Sequence, residues 1–284
     1  MATTPKINYL SNKELLIEIH KSKLTYCSFV NPEYQNEKYK YYDIIVNSLD
    51  EIDDEVIEYS RMVRANRIYK QKRDELLEMG FRPLEIKLEV NPSKVKTEDI
   101  VFRVMCNDHI PKDKLKKRKK NADGEEGEEE ILKVTFPPFK HYIIKDGKPI
   151  EVLRSHSKDG QFCNTHGKIT NRLAFMFMKL VDRYGQRGNF RSYTYNDEMR
   201  GQALVQLSQV GLQFDESRSS TPNPFAYYTA VINASFTRIL NIEKKNQNIR
   251  DDVRESLGHN PSYSRQIDHE YKVRESEKNY RDEV

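Results

Sequence analysis

Asn223-Pro224 restricts the folding options of this chain more than any other pair of residues. Asparagine caps helices well, and the fixed φ and missing N–H of proline suit the first helical position. Behind the pair, Phe225, Tyr228, Ile232, Phe236 and Ile239 recur along one face, and the run continues through Lys244-Lys245-Asn246-Gln247 until Gly258 and Pro261. The spacing predicts a long amphipathic helix. Two stripes precede it. Leu173, Met176, Phe177, Leu180, Val181 and Tyr184 form the first, broken by Gly185 and Gly188; Met199, Ala203, Leu204 and Leu207 form the second, up to Gly211. The second opens with Asp197 and Glu198 after Thr194, acidic residues that suit a helix N-terminus. From Thr170 onward the pattern is helical to the end, although Tyr263 to Val284 mixes charges of both signs with almost no apolar face. That last stretch predicts a solvated helix or a frayed tail.

The first half has a different period. Ser11 with Glu14 makes a capping box, flanked by Leu10 and Leu15 as a hydrophobic staple, and Leu15, Leu16 and Ile19 carry a helix to about Lys23. Asp43 to Val46 predicts a short strand, Glu55 to about Glu78 a helix stopped at Gly80, and Leu84, Ile86, Leu88 and Val90 a half-buried strand. Ile100 to Met105, Ile131 to Phe136, His141 to Ile144 and Pro149 to Leu153 add further strands. Lys112 to Lys120 is nearly all basic and Asp123 to Glu130 nearly all acidic, a composition that builds no core and predicts a flexible loop over 112–130. A basic arm against phosphate is the other use of that run. The expected class is mixed: an all-α helical core in the second half, with a small α+β module inserted before it. The expected divisions are 1–24 (first helix of the helical core), 25–162 (inserted module), 163–260 (helical domain) and 261–284 (charged tail).

Charge and composition narrow the function. The chain has 284 residues, a formal net charge of +4, 17 Tyr and 12 Phe but no Trp. The aromatics supply core material, and the charge permits a polyanionic partner without requiring one. No apolar run approaches the roughly 20 residues that span a bilayer, so no membrane partner is expected, and the N-terminus lacks the apolar stretch of a secretory signal. Three widely spaced cysteines make no disulfide framework, which predicts a protein of a reducing compartment, the cytoplasm.

Motifs for chemistry are sparse. Cys163 and His166 have the spacing of a zinc clip, with His156, Cys27 and His20 as conceivable completions, and Cys106 and His109 form a second spaced pair. A second close-spaced pair that would complete either set is missing, so no cofactor is expected. There is no phosphate-cradling glycine loop, no glycine-flanked nucleophilic serine and no dinucleotide fingerprint, and Asp53-Asp54 and Asp251-Asp252 sit where caps or helix surface are expected. The chain does not read as an enzyme.

One ordered series stands out in the second half: Asn189-Phe190, Tyr193, Glu198-Met199, Phe214-Asp215, Asn223-Pro224-Phe225-Ala226-Tyr227, Phe236, Arg238-Ile239 and Glu243-Lys244-Lys245. It resembles the core promoter-binding region of bacterial primary sigma factors, and more closely the late-transcription sigma factors of large tailed phages. Tyr9-Leu10-Ser11-Asn12-Lys13-Glu14-Leu15-Leu16 matches the opening stretch of the phage factors. The resemblance covers about the first twenty residues and roughly 165 to 255. It departs from the primary family in having no Trp, and from the phage factors in lacking the apolar cluster of a clamp-docking tail at Glu277 to Val284.

The resemblance implies a sigma factor that binds host core RNA polymerase in an infected bacterium and directs it to A·T-rich late promoters. A phage co-activator and a sliding clamp are possible further partners. It implies that Asn196, Asp197, Glu198, Arg200, Gln202, Gln206 and Gln209 meet the clamp coiled coil of the polymerase. Capturing a melted strand needs rings for unpaired bases and cations for phosphates. Tyr227, Tyr228 and Phe236 are the candidate rings, and Arg238, Lys244, Lys245 and Arg250 the candidate cations. Tyr227 lies off the apolar stripe, whereas Phe225, Tyr228 and Phe236 fit a core role better than that of a base platform. The alternative function is a phage DNA-packaging or virion-associated protein that grips DNA without polymerase specificity.

Overall fold

The structure, a computed structural model, describes residues 10–82, 89–111, 134–165 and 167–282. It is mixed, about 57% helical with one five-stranded sheet. No described helix is long and apolar enough to cross a membrane. The chain divides into two compact units, Met1–Lys179 with Leu207–Tyr228, and Leu180–Gln206 with Thr229–Val284.

Helix α1 (Asn12–Leu24) opens the first unit, the Glu14 amide donating to Ser11 Oγ (3.2 Å) as the capping box requires. Helix α2 (Asp54–Glu78) is capped in the same way, the Val56 amide donating to Asp53 Oδ1 (2.7 Å). It ends where Gly80 takes φ +91 and the Phe81 amide reaches back to Leu76 O, a left-handed stop that favours glycine. Strands β1 (Cys27–Phe29), β2 (Ile44–Val46), β3 (Phe102–Met105), β4 (Phe139–Lys145) and β5 (Lys148–Ser155) make the sheet in the order β1-β5-β4-β3-β2. All neighbours are antiparallel except β2 and β3. Asp146 and Gly147, both at positive φ, turn the β4–β5 hairpin, as Asp-Gly does in a two-residue loop. Short strands β6 (Ser157–Lys158) and β7 (Gln161–Phe162) pair separately.

Val46, Ala65, Val95, Ile100, Phe102 and Val104 form one core cluster, which joins β2, α2 and β3. The strand expected at 84–90 lies mostly outside the described residues, as does the charged run at 112–130. Of the strand expected at 131–136, the described residues from Val134 are irregular, ahead of Pro137-Pro138.

The division expected from the sequence differs from the one observed: α1, the sheet and 207–228 belong to a single unit. Polar ties explain it. Lys23, fully buried, donates to Phe214 O (2.6 Å) and pairs with the buried Glu216 (2.7 Å). Burial lowers the Lys23 pKa, and the Glu216 carboxylate acts against that. Thr25 Oγ1 donates to Lys168 O (2.9 Å), and the Thr170 amide donates to Ser22 Oγ (3.1 Å).

Helices α3 (Asn171–Gly185), α4 (Asn196–Val210), α5 (Pro224–Ser256) and α6 (Tyr263–Asp282) realise the helical half. In the second unit Leu180, Val181, Tyr184, Met199, Ala203, Ile232, Phe236 and Ile239 are buried. Tyr184 and Phe190 flank Phe236 edge-on, and Tyr184 Oη donates to Asn233 Oδ1 (2.6 Å). Helix α5 stops at Gly258 (φ +77), and Asp251 accepts from the Ser262 amide (2.8 Å) and hydroxyl (2.6 Å) to set the corner into α6. Tyr263, Ile267 and Tyr271 of α6 are exposed, in keeping with its scant apolar face.

Candidate nucleic-acid interface

In the first unit, the start of α5 is fixed from two sides. Asn223 Oδ1 accepts from the Ala226 amide (3.0 Å) as the cap, and Asn12 Oδ1 accepts from the Phe225 amide (3.0 Å). The ring candidates separate here. Tyr228 is fully buried, its hydroxyl donating to Gly211 O (2.8 Å) and its ring edge-on to Phe177. Burial raises its pKa well above the ordinary value. Gly211 leaves room for this arrangement: a Cβ there would lie 2.7 Å from the Phe177 ring. Tyr227 is half-buried, tilted against Phe214, with its hydroxyl on Val210 O (3.0 Å) and its pKa raised by burial. Phe225, placed on the buried stripe by its spacing, is instead 42% exposed, in the first turn of the helix.

Phe236, in the second unit, is fully buried between Tyr184 and Phe190. Tyr228 and Phe236 therefore offer no ring face to an unpaired base, which corrects their place among the candidate DNA contacts. The packing that apolar spacing demands takes both rings inward. Tyr227 keeps only part of its surface.

The cations of α5 fare differently. Arg238, Lys244, Lys245 and Arg250 are all exposed, and no ion pair among the described residues engages them. Arg238 and Lys245 stand seven residues apart, two turns, and so share a face. With Asn233, Ala234, Thr237, Asn241 and Ile242 they line an open groove of about 840 Å³. Lys244 and Arg250 lie off that line. The acids of α5 are meanwhile occupied: Glu243 accepts from Asn246 (3.0 Å), Asp251 from Ser262, and Asp252 and Glu255 pair with Arg265 at 2.6 and 3.0 Å. The polar side chains along this helix face are cationic, amide or hydroxyl. Asn233, Thr237 and Asn241 escape a reading of the sequence that follows charge alone, although their i, i+4, i+8 spacing is the signal that marks them.

The α4 candidates also divide. In the second unit Asp197 and Glu198 are exposed at the head of the helix, and Gln202 and Gln206 are half-buried. Asn196 is not a free contact. Its side chain donates to Gly185 O (3.0 Å) and Phe190 O (2.9 Å), fixing the loop that enters α4. Arg200 is paired with Asp182 and with Asp197 (2.9 Å), and the Asp182 hydrogen bond raises its pKa. These residues, with Arg191 and Tyr193, line a cleft of about 330 Å³. Gln209, in the first unit, is exposed.

Among the described residues, the other zinc candidates do not form a metal-capable group with Cys163. His166 lies outside the described residues. His156 is buried and stacked on Phe136, with Nε2 bonded to Phe136 O (3.0 Å). Burial pushes the Cys27 thiol up to about 12, and its Sγ donates to Lys23 O. His20 Nδ1 accepts from the buried Arg103 (3.1 Å). Among the described residues the metal-capable trio is Cys106, Asp108 and His109.

No family model, curated protein or solved structure matches this chain.

Proposed function

We propose that this chain is a phage-encoded sigma factor that binds bacterial core RNA polymerase and directs it to A·T-rich late promoters. The observation that carries the proposal is the face of α5 on which Arg238 and Lys245 stand without ion pairs, among the described residues, beside amide and hydroxyl side chains while the neighbouring acids are tied up. Such a face suits a nucleic-acid backbone: the cations neutralise phosphates and release counterions, and Asn233, Thr237 and Asn241 supply hydrogen bonds that fix register without reading sequence. Base stacking, worth about 1–3 kcal/mol per base, falls to Phe225 and Tyr227 of the first unit, the rings of the helix start that retain exposed surface.

Polymerase binding is assigned to α4 through Asp197, Glu198, Gln202, Gln206 and Gln209, with Arg200 acting through its pairs to Asp182 and Asp197. The ordered sequence pattern from Asn189 to Lys245 supports this part. The protein works in the cytoplasm of the infected cell and performs no chemistry itself. Fluorescence anisotropy at matched salt, on duplex and on bubble DNA labelled in one strand or the other, tests the DNA part. A sigma factor with core polymerase prefers one strand of the bubble. Equal binding to every probe would instead favour a packaging or virion protein with a generic DNA grip.

A further inference from the structure

Strand β3 ends at Met105, and the chain turns at once, the Ile110 amide closing the turn on Asn107 O (3.0 Å). This turn brings Cys106 Sγ, an Asp108 carboxylate oxygen and a His109 ring nitrogen within 4.8 Å of one another. The imidazole is held in one tautomer. His109 Nε2 lies 3.0 Å from Ser155 O, and because a carbonyl only accepts, Nε2 carries the proton and Nδ1 holds a bare lone pair. That Nδ1 is buried and, among the described residues, has no hydrogen-bond partner. A ligating histidine whose other ring nitrogen donates to a backbone carbonyl is the usual support of a metal-bound imidazole.

We infer that Cys106, Asp108 and His109 form a three-ligand zinc site at the end of β3, with His109 Nδ1 as the imidazole donor and a fourth position open to solvent. Thiolate, carboxylate and imidazole are all zinc donors, with bond lengths of about 2.0–2.3 Å, so the trio closes by small movements of an exposed turn. On binding, the Cys106 proton goes to solvent and the sulfur–metal bond replaces the S–H bond. The thiolate and the carboxylate together balance the +2 ion. Lys140, now 2.6 Å from Asp108 and 3.5 Å from Glu151, keeps Glu151 as its partner when the metal takes the Asp108 oxygen. The site is independent of the DNA interface on α5.

The test uses the full chain, stripped with chelator and titrated first with Co²⁺ and then with Zn²⁺. The expected result is one saturable Co²⁺ per chain with a sulfur-to-cobalt charge-transfer band, displaced by Zn²⁺. Cys106→Ser removes that band. Asp108→Asn, a change at an exposed side chain that leaves the circular dichroism unaltered, keeps the band but weakens metal binding by about tenfold or more. Cys163→Ser changes neither. Absence of saturable Co²⁺ binding overturns the assignment, and so does a sulfur band that survives Cys106→Ser and vanishes in Cys163→Ser.

Discussion

Arg103 is fully buried without a carboxylate partner among the described residues. Its guanidinium lies over the rings of Phe139 (3.8 Å) and Tyr42 (4.0 Å), and it donates to His141 Nε2 (3.1 Å) and His20 Nδ1 (3.1 Å). Both imidazoles must stay neutral to accept. Burial drives both histidine pKa values well down, and the Arg103 charge adds to the effect. The unfolded chain takes up these protons near pH 6.5 while the folded one does not, so stability is full above about pH 6.5 and declines as pH falls beneath it. Urea midpoints should hold from pH 7.5 to about 6.5 and fall from there to pH 5.5, and a flat profile below pH 6.5 would contradict the neutral assignment. Lys23 makes a second residue-level test. Lys23→Met leaves Glu216 buried without its cation, and the expected loss is about 3–5 kcal/mol by denaturant unfolding. A loss below about 1 kcal/mol would mean that the ion pair does not hold α1 to the segment at 214–216. None of this is visible in the sequence, because residues 103 and 141 are paired by the sheet, residue 20 comes from α1, and the three carry no spacing signal.

Elements are more legible than their partners. Ser11, Asp53, Gly80, Asn223-Pro224 and Gly258 mark helix ends in the structure where local chemistry says they should, since capping and left-handed stops act within a few residues. The stripes of α3, α4 and α5 are buried as spaced, Phe225 and the half-buried Leu204 excepted; Phe225 sits in the first turn of α5. Gly211→Ala tests how closely that packing is set: the added methyl meets the buried Phe177 ring, and a loss of about 1–3 kcal/mol is expected from the shift of the denaturation midpoint. An unchanged midpoint would show a looser fit. On α5 itself, Arg238→Gln with Lys245→Gln should weaken single-strand binding across all sequences. The slope of log affinity against log salt should become shallower by about 0.7 for each phosphate no longer neutralised. If binding and slope are both unaffected, this face is not the phosphate grip. Which rings remain available is not legible, since helical spacing places Tyr228 and Phe236 on a face but does not tell what covers it.

At the scale of the whole molecule, the mixed class is readable from the change of period near residue 160, but the division is not. Lys23, Thr25 and Ser22 bond to residues that lie 143 to 193 positions away, and such pairings leave no local mark. The described residues of 25–162 therefore share a unit with α1 and with 207–228, from which the expected division separates them. A sigma factor is defined by what it makes another machine do, so the proposed function is tested most severely at this scale. Core RNA polymerase from the host should be mixed with the full chain and assayed for run-off transcription on phage DNA carrying A·T-rich late promoters. Under the sigma-factor assignment, discrete transcripts should appear that require both components and that fall sharply with Arg238→Gln/Lys245→Gln. Retention of DNA binding with no holoenzyme and no transcript start would contradict it.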